Sequence, residues 1–302
     1  MSEAAVLTRA AAGARAAIGI LQRGALAQPG IRRPRPRTEA DILGRLGGLE
    51  VRLARTPAEI RAAQALRFRI FYEEMSARPN LLQQLTRLDV DRFDRHCDHL
   101  LVTDPGKSPR FKDQVVGTYR LMRQEKAAEC GGFYGEDEFD IPGLVARHPG
   151  RRFLQLGRSC VLSDYRGRRT VELLWHGIWA YLLNHRIDAM FGCASLPGTC
   201  PQQLSAPLAF LRDNASAPDE WRVAASPGRA MAPTAHACDD RRRALSVLPP
   251  LLKGYLRVGG YVSPDAVADH EFGTTDVFVV LPVERIAPRY VTHYGEAAER
   301  FA

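Results

Sequence analysis

Lysine is scarce: Lys107, Lys112, Lys126 and Lys253 are the four among 42 basic side chains, and the other 38 are arginine. A nucleic-acid-binding domain gathers its cations into a stripe or patch. Here arginine is spread along the chain with abundant alanine, so the bias reads as composition and no nucleic-acid partner is expected. Long apolar runs are also missing. A membrane span needs about 20 apolar residues, yet Arg9, Arg15 and Arg23 interrupt the N-terminal stretch. The uncharged run 189–211 is broken by Pro197, Pro201, Gln202, Gln203 and Pro207. Arg15 falls where a secretory signal would have its apolar centre. The six cysteines, at 97, 130, 160, 193, 200 and 238, show neither CxxC spacing nor zinc-like grouping. That excludes a disulfide scaffold and predicts reduced thiols, no metal and a cytoplasmic setting.

What is there is a folded protein with a basic arm. Of 302 residues, 45% are apolar and 25% charged, an ordinary globular balance for one large domain or two small ones. The net charge is +8, and residues 1–48 hold +5 of it, eight arginines against Glu3, Glu39 and Asp41. Residues 3–27 are Ala-rich and helix-prone, and the run 31–37 is basic and broken by Pro34 and Pro36. Two readings stay open: an amphipathic helix and polybasic linker resting on an anionic membrane, or a tail whose arginines reflect composition. The domain plan is therefore an arm, 1–48, and a body, 49–302, with a core over 49–199 and a C-terminal extension over 200–302.

Within the body, Leu49 to Ala54 alternates as a half-buried strand. Thr56-Pro57-Ala58-Glu59 spells a capping box that opens a helix reaching Phe71 or Glu74. A loop through Leu88 to Asp94 precedes two meander strands, 99–103 and 115–122. Phe153 to Leu162 is a further strand, entering the basic turn Ser163 to Arg169. A helix follows over 170–186, with Val171, Leu174, Trp175, Ile178 and Leu182 on one face. Strands at 189–194 and 275–281 flank a stretch that lacks a clear period, except for a helical segment 245–256 around Pro249-Pro250. This order predicts an α/β (α+β) architecture in three layers.

The strand 153–162 and the turn after it carry the chemistry. A turn between strand and helix aims backbone N–H groups and the positive helix end outward, and Arg166, Arg168 and Arg169 add charge suited to a phosphate or an acidic partner. This strand–turn–helix resembles the acyl-donor site of the GNAT N-acyltransferases. More closely, Leu156 to Leu162, Tyr165-Arg166 and Arg169 to Trp175 resemble bacterial ornithine–acyl-carrier-protein N-acyltransferases, which are related to acyl-homoserine-lactone synthases. Leu66 to Phe71, Asp89 to Asp94, Gly117 to Leu121, Phe191 to Ser195, Leu248 to Arg257 and Thr274 to Val277 match in the same order, so the resemblance spans about residues 50–294.

The resemblance implies a GNAT-like three-layer fold with a central mixed, mainly antiparallel sheet. It also implies transfer of a 3-hydroxylated fatty acyl group from acyl carrier protein to the α-amine of ornithine, the first step of ornithine-lipid synthesis. Asp89, Asp91, Asp94 and Arg158 are the candidates for catalysis. Arg67, Phe71, Arg120, Cys160 and Val161 are the candidates for substrate binding. Arg166, Gly167, Arg168, Arg169 and Thr170 are those for the phosphopantetheine and its carrier. No separate cofactor is expected, because the carrier's phosphopantetheine arrives with the substrate. The partners expected are acyl carrier protein, ornithine and an anionic membrane surface, at the inner face of the cytoplasmic membrane. An acyl-homoserine-lactone synthase-like enzyme is the enzymatic alternative, and a haemolysin-like membrane-associated protein without catalysis is the other.

Two departures from the family pattern matter. Coenzyme-A-dependent GNAT enzymes carry an R/Q-x-x-G-x-G/A loop; aligned on Arg166, its glycines fall on Arg169 and Val171. Their loss disfavours close approach to a pyrophosphate and favours a single-phosphate donor. Gln155 stands where related sequences often have Glu, and an amide cannot take a proton at neutral pH. The base therefore lies elsewhere. Cys160, without an evident His partner, reads as packing rather than as a nucleophile. His99 and Asp104 spell H-x4-D, but an odd separation along a strand sends them to opposite faces, so that match is accidental. Trp175 and Trp179 read as core.

Overall fold

The computed structural model describes residues 42–75, 77–232 and 241–287. One eight-stranded sheet runs through the body in the order β1-β2-β3-β4-β5-β6-β8-β7. Strands β1 (Ile42–Leu46) and β2 (Leu49–Leu53) form a hairpin. Its turn is possible because Gly47 adopts a left-handed φ of +64°. The body therefore starts before residue 49: Ile42 to Leu46, counted above with the arm, buries Ile42 and Leu43 as an edge strand. The rest of the arm, 1–41, lies outside the described residues.

Helix α1 (Pro57–Phe68) has the anticipated capping box, in which Thr56 Oγ1 accepts from Glu59 N and Glu59 Oε2 accepts from Thr56 N. It runs directly into a π-helical turn, Arg69–Glu74, a winding common at functional sites. Helix α2 (Leu81–Thr86) precedes β3 (Asp98–Thr103). Then come α3 (Phe111–Gln114), β4 (Val115–Arg123), α4 (Gln124–Glu129), α5 (Ile141–Arg147) and β5 (Phe153–Val161). Helix α6 (Arg168–His185) starts two residues earlier than its apolar stripe predicts.

Among the described residues beyond β6 (Ala189–Pro197) lie three helices, α7 (Pro201–Ala215), α8 (Arg241–Val247) and α9 (Pro250–Val258), then β7 (Tyr261–Asp269) and β8 (Thr274–Pro282). The helical segment expected at 245–256 is thus two helices. Pro249 caps the second and Pro250 opens it, because proline suits a helix start and not an interior. The C-terminal stretch returns to the same sheet, with β8 paired to β6 along its whole length.

Every strand pair is antiparallel except β5–β6, and that pair is short. It covers Phe153–Ala189, Leu154–Met190 and Gln155–Phe191, then stops, although both strands continue. Since β6 keeps β8 on its other side, the sheet opens along the β5 edge from Leu156 onward.

Helix α6 covers one face. A Cβ at Gly177 would meet Val51 and Leu100, and Gly117 approaches Thr170. Strand alternation puts His99 and Arg120 opposite that face. There they meet Asp94, which α1 reaches with Gln64 and Arg67. An aromatic cluster, Phe133, Phe139, Phe153, Phe191, Trp221 and Phe278, fills the far end. It holds the segment 130–140 over the opening. A bridge between Phe139 and Ala225 and the bonds Asp140 N–Ala224 O and Ser226 N–Glu138 O fasten that segment.

Candidate active site

The opening in the sheet coincides with a bulge in β5. Arg120 pairs with Gly157 and Thr118 with Cys160, so Arg158 and Ser159 together face Tyr119. Arg158 takes φ +51°, a left-handed conformation that costs a non-glycine residue about 1–2 kcal/mol and marks functional sites. Gly157 is required for a different reason. Any Cβ there would lie 1.6 Å from Tyr134 Oη, which donates to Leu156 O at 2.9 Å. Below the bulge, Tyr134 N donates to Gln155 Oε1 at 3.1 Å, and Gln155 is wholly buried with Nε2 lacking a protein acceptor.

The sequence candidates Arg67, Asp89, Asp91, Asp94, Arg120 and Arg158 come together in one ionic network. Arg67 reaches Asp89 Oδ2 at 2.8 Å and Asp94 at 2.9 Å. Arg120 Nη1 reaches Asp91 Oδ2 at 2.6 Å and Asp94 Oδ1 at 3.2 Å. Arg158 lies 3.5 Å from Asp89 Oδ2 and 3.8 Å from Asp91 Oδ2. Tyr72 donates to Asp89 Oδ1 at 3.1 Å, and Gln64 donates to Asp94 Oδ2 at 3.0 Å. Three arginines thus balance three aspartates, with Arg67, Arg120 and Asp89 about 1% exposed. Burial alone would raise the Asp94 carboxyl, but Arg67, Arg120 and His99 hold it down at about 2.

That geometry argues against Asp94 as proton acceptor: a carboxylate so stabilised by Arg67 and Arg120 is too weak a base to draw a proton from an ammonium. Asp94 keeps Arg67 and Arg120 in place, and Asp89 and Asp91 orient Arg158 over the opening. Phe71 serves the same end. Arg158 stacks 5.0 Å over the Phe272 ring and 6.0 Å over Phe71. His99 and Asp104 diverge as expected, His99 to Asp94 O and Asp104 to the Tyr165 hydroxyl.

Cys160 is buried, and burial pushes its thiol up to about 12, so it is packing. Val161 ends β5, and its carbonyl accepts from Arg166 Nε at 3.0 Å. Arg166 also pairs with Glu74. Gly167 occupies the N-cap of α6 without a side-chain cap, which leaves first-turn N–H groups for a ligand. Arg168 supplies the first helical residue and Arg169 is exposed. Thr170 is not at the surface: it is buried and its methyl packs on Gly117. Trp179 is core, and half-buried Trp175 meets Tyr255 edge-on.

A second acidic group was not legible in the sequence. Glu138, from the fastened segment, meets Cys193 of β6 and Asp276 of β8, with a carboxylate oxygen of each acid and the Cys193 sulfur all within 4.8 Å of one another. Cys193 Sγ donates to Glu138 Oε2 at 3.8 Å. Burial, then Asp276 and Asp269, raise Glu138 to about 7, against the pull of Arg229. Burial and Asp269 raise Asp276 to about 6, partly offset by hydrogen bonds from Ser195 and Thr274.

The chain has close relatives. It is 52% identical over 277 residues to the L-ornithine N(alpha)-acyltransferase of Agrobacterium fabrum, covering 88% of this chain and 93% of that protein. It is 51% identical to the one from Rhizobium meliloti (87% and 90%) and 41% identical to the one from Rhodobacter capsulatus (83% and 96%). Residues 66–176 match the acetyltransferase (GNAT) domain family. Likeness to solved structures is looser. FeeM, an N-acyl amino acid synthase from uncultured soil microbes, superposes with a TM-score of 0.44 at 10% identity, over 78% of this chain and 91% of that one. The AHL synthase LasI gives 0.45 at 12% identity, over 82% and 95%.

Proposed function

The chain belongs to the family of L-ornithine N(alpha)-acyltransferases, and from that premise we propose how it moves a 3-hydroxyacyl group from acyl carrier protein to the α-amine of ornithine. It is an acyltransferase of GNAT-like mixed α/β fold. The observation that carries the reading is the opened β5 edge beside bulged Arg158. A thioester laid along that edge takes the place of the missing strand. Backbone N–H groups of β5 that face away from β4 then donate to the thioester oxygen as it gains charge. The acceptor enters on the face of Arg158 and Tyr134, and its neutral amine attacks the carbonyl carbon. The pantetheine sulfur leaves toward the α6 N-terminus, where the first-turn N–H groups after Gly167 and the Arg169 side chain hold a phosphate.

Acyl carrier protein suits this turn better than coenzyme A, because the loop glycines are replaced and the surplus is arginine. Arg166 takes part by exchanging Glu74 for a phosphate. The experiment mixes purified protein with 3-hydroxyacyl carrier protein and follows thiol release. Release that depends on added ornithine supports the reading. Release that depends on S-adenosylmethionine favours the lactone-synthase alternative, and release that needs no amine or fails altogether refutes both.

We place the reaction at an anionic membrane surface. No helix among the described residues is long and apolar enough to cross a membrane. Instead, Leu81, Leu82 and Leu85 of α2 stand 65–76% exposed between exposed Arg78 and Arg87, a combination suited to shallow, charge-assisted contact. Co-sedimentation with phosphatidylglycerol vesicles at low salt, lost at high salt, supports this placement; equal recovery with neutral vesicles refutes it.

A further inference from the structure

The proposed reaction needs a proton acceptor, and the obvious acids do not supply one. Gln155 is an amide, Asp94 is locked between two arginines, Asp89 is paired with Arg67 and Arg158, and Asp91 with Arg120 and Arg158. We propose that Glu138, positioned by Asp276, is the group that takes the proton from the acceptor ammonium; this rests on the acyltransferase reading above. The Glu138 carboxylate accepts that proton, and the freed amine forms the C–N bond to the thioester carbon. As the C–S bond breaks, Glu138 returns the proton to the departing sulfur. The acylated nitrogen then carries one proton too many; it releases that one to water and keeps the other as the amide N–H.

Three observations place the pair where this chemistry occurs. First, Cys193 and Ser195 lie on β6 just past Phe191, the last residue paired to β5, so they border the opening. Asp276 is in register with Ser195, and Glu138 contacts Cys193. Second, Glu138 is held by its own backbone, since its carbonyl accepts from Ser226 N at 2.7 Å and the next residue bridges to Ala225. Third, the adjacent donor lacks a partner. Gln155 shares the face of Phe191 and Cys193 at the final rung, and a Cβ at Gly135 would touch both Gln155 Nε2 (3.0 Å) and Cys193 Sγ (3.9 Å). A buried amide N–H without an acceptor is costly and calls for an oxygen from outside the chain. An amino acid offers both halves: a carboxylate for Gln155 Nε2 and an ammonium for Glu138.

The charged and titratable groups facing Glu138 are Asp276, Asp269, Cys193 and Arg229, the last at 3.8 Å. Two nearby carboxylates cannot both ionise freely in a half-buried site, so the pair titrates near neutrality, as a general base should.

The test compares wild type, Glu138→Gln and Asp276→Asn for kcat and KM with ornithine over pH 5.5–9, with melting measured alongside. In wild type, kcat/KM should rise with pH through a limb near neutrality. Glu138→Gln should lose about 100-fold or more in kcat, lose that limb, and climb instead with the free-amine fraction to the top of the range. Asp276→Asn should retain the limb but move it to lower pH, because a negative charge that raised Glu138 is gone. If Glu138→Gln does not fold, the limb shift in Asp276→Asn carries the test alone. A folded Glu138→Gln with the wild-type limb overturns the proposal, as does an unmoved limb in Asp276→Asn. Loss of wild-type activity on chelation, restored by zinc, also overturns it by making these groups metal ligands. Wild type that fails to acylate ornithine at all defeats the parent reading instead.

Discussion

Replacing Asp94 by Asn changes one charge and almost no volume, and the structure sets what that should cost. Asp94 is 6% exposed at its side chain and faces both Arg67 and Arg120. Removing one member of a buried ion network leaves the opposing charges uncompensated, typically about 3–5 kcal/mol. The pH dependence gives an independent magnitude. The carboxyl is held at about 2 in the folded protein against its ordinary 3.8, a difference worth about 2 kcal/mol. Because the folded value is the lower one, this stability is present above pH ~4 and lost as pH falls through ~2. Urea unfolding of wild type should therefore show its midpoint falling below pH ~4. Asp94→Asn should start lower and fall less steeply over that range. Equal midpoints at pH 7, or parallel curves from pH 5 to 2, would refute the assignment of Asp94 to the scaffold.

Other expectations follow from the same geometry. Gly157→Ala puts a methyl 1.6 Å from Tyr134 Oη; it should cost about 1–3 kcal/mol by overpacking and cut turnover, and thermal melting with a rate assay checks both. Cys160→Ala should keep wild-type turnover, because the buried thiol at about 12 is no nucleophile; absence of label at Cys160 itself after thiol alkylation of the native enzyme, read by peptide mass mapping, is the companion check. Arg166→Glu with Arg169→Glu should raise KM for the carrier-bound donor several-fold while leaving KM for ornithine unchanged, measured by initial rates at varied donor.

The parts of the fold legible in the sequence were those with a local physical signature. The capping box at Thr56, the apolar stripe of α6, the alternation in β2 and the largely apolar runs of β3, β4 and β8 each act within a few residues. What escaped notice depended on distance. Strand β1 was hidden by Gly44 and Arg45 within its five residues, β7 by the break at Pro264 and Asp265, where its register to β8 shifts, and α7 by Pro207 inside it. The site divides likewise. Arg67, Asp89, Asp91, Asp94 and Arg120 were named through family resemblance, since no spacing rule joins residues on α1, a loop and β4. Glu138 and Asp276 come together only through the Phe139–Ala225 bridge and the β6–β8 register, and neither feature has a sequence signal. The left-handed Arg158 was equally silent, because an arginine in a strand ordinarily implies extended backbone.

In the proposed mechanism the opened β5 edge presents a thioester to the α-amine of ornithine. Tandem mass spectrometry of the product from purified enzyme, 3-hydroxyacyl carrier protein and ornithine tests it most directly, by locating the amide on one nitrogen. Acylation is expected at the α-nitrogen, with the δ-amine free. An acyl group on the δ-nitrogen, or free fatty acid in place of an amide, would contradict it.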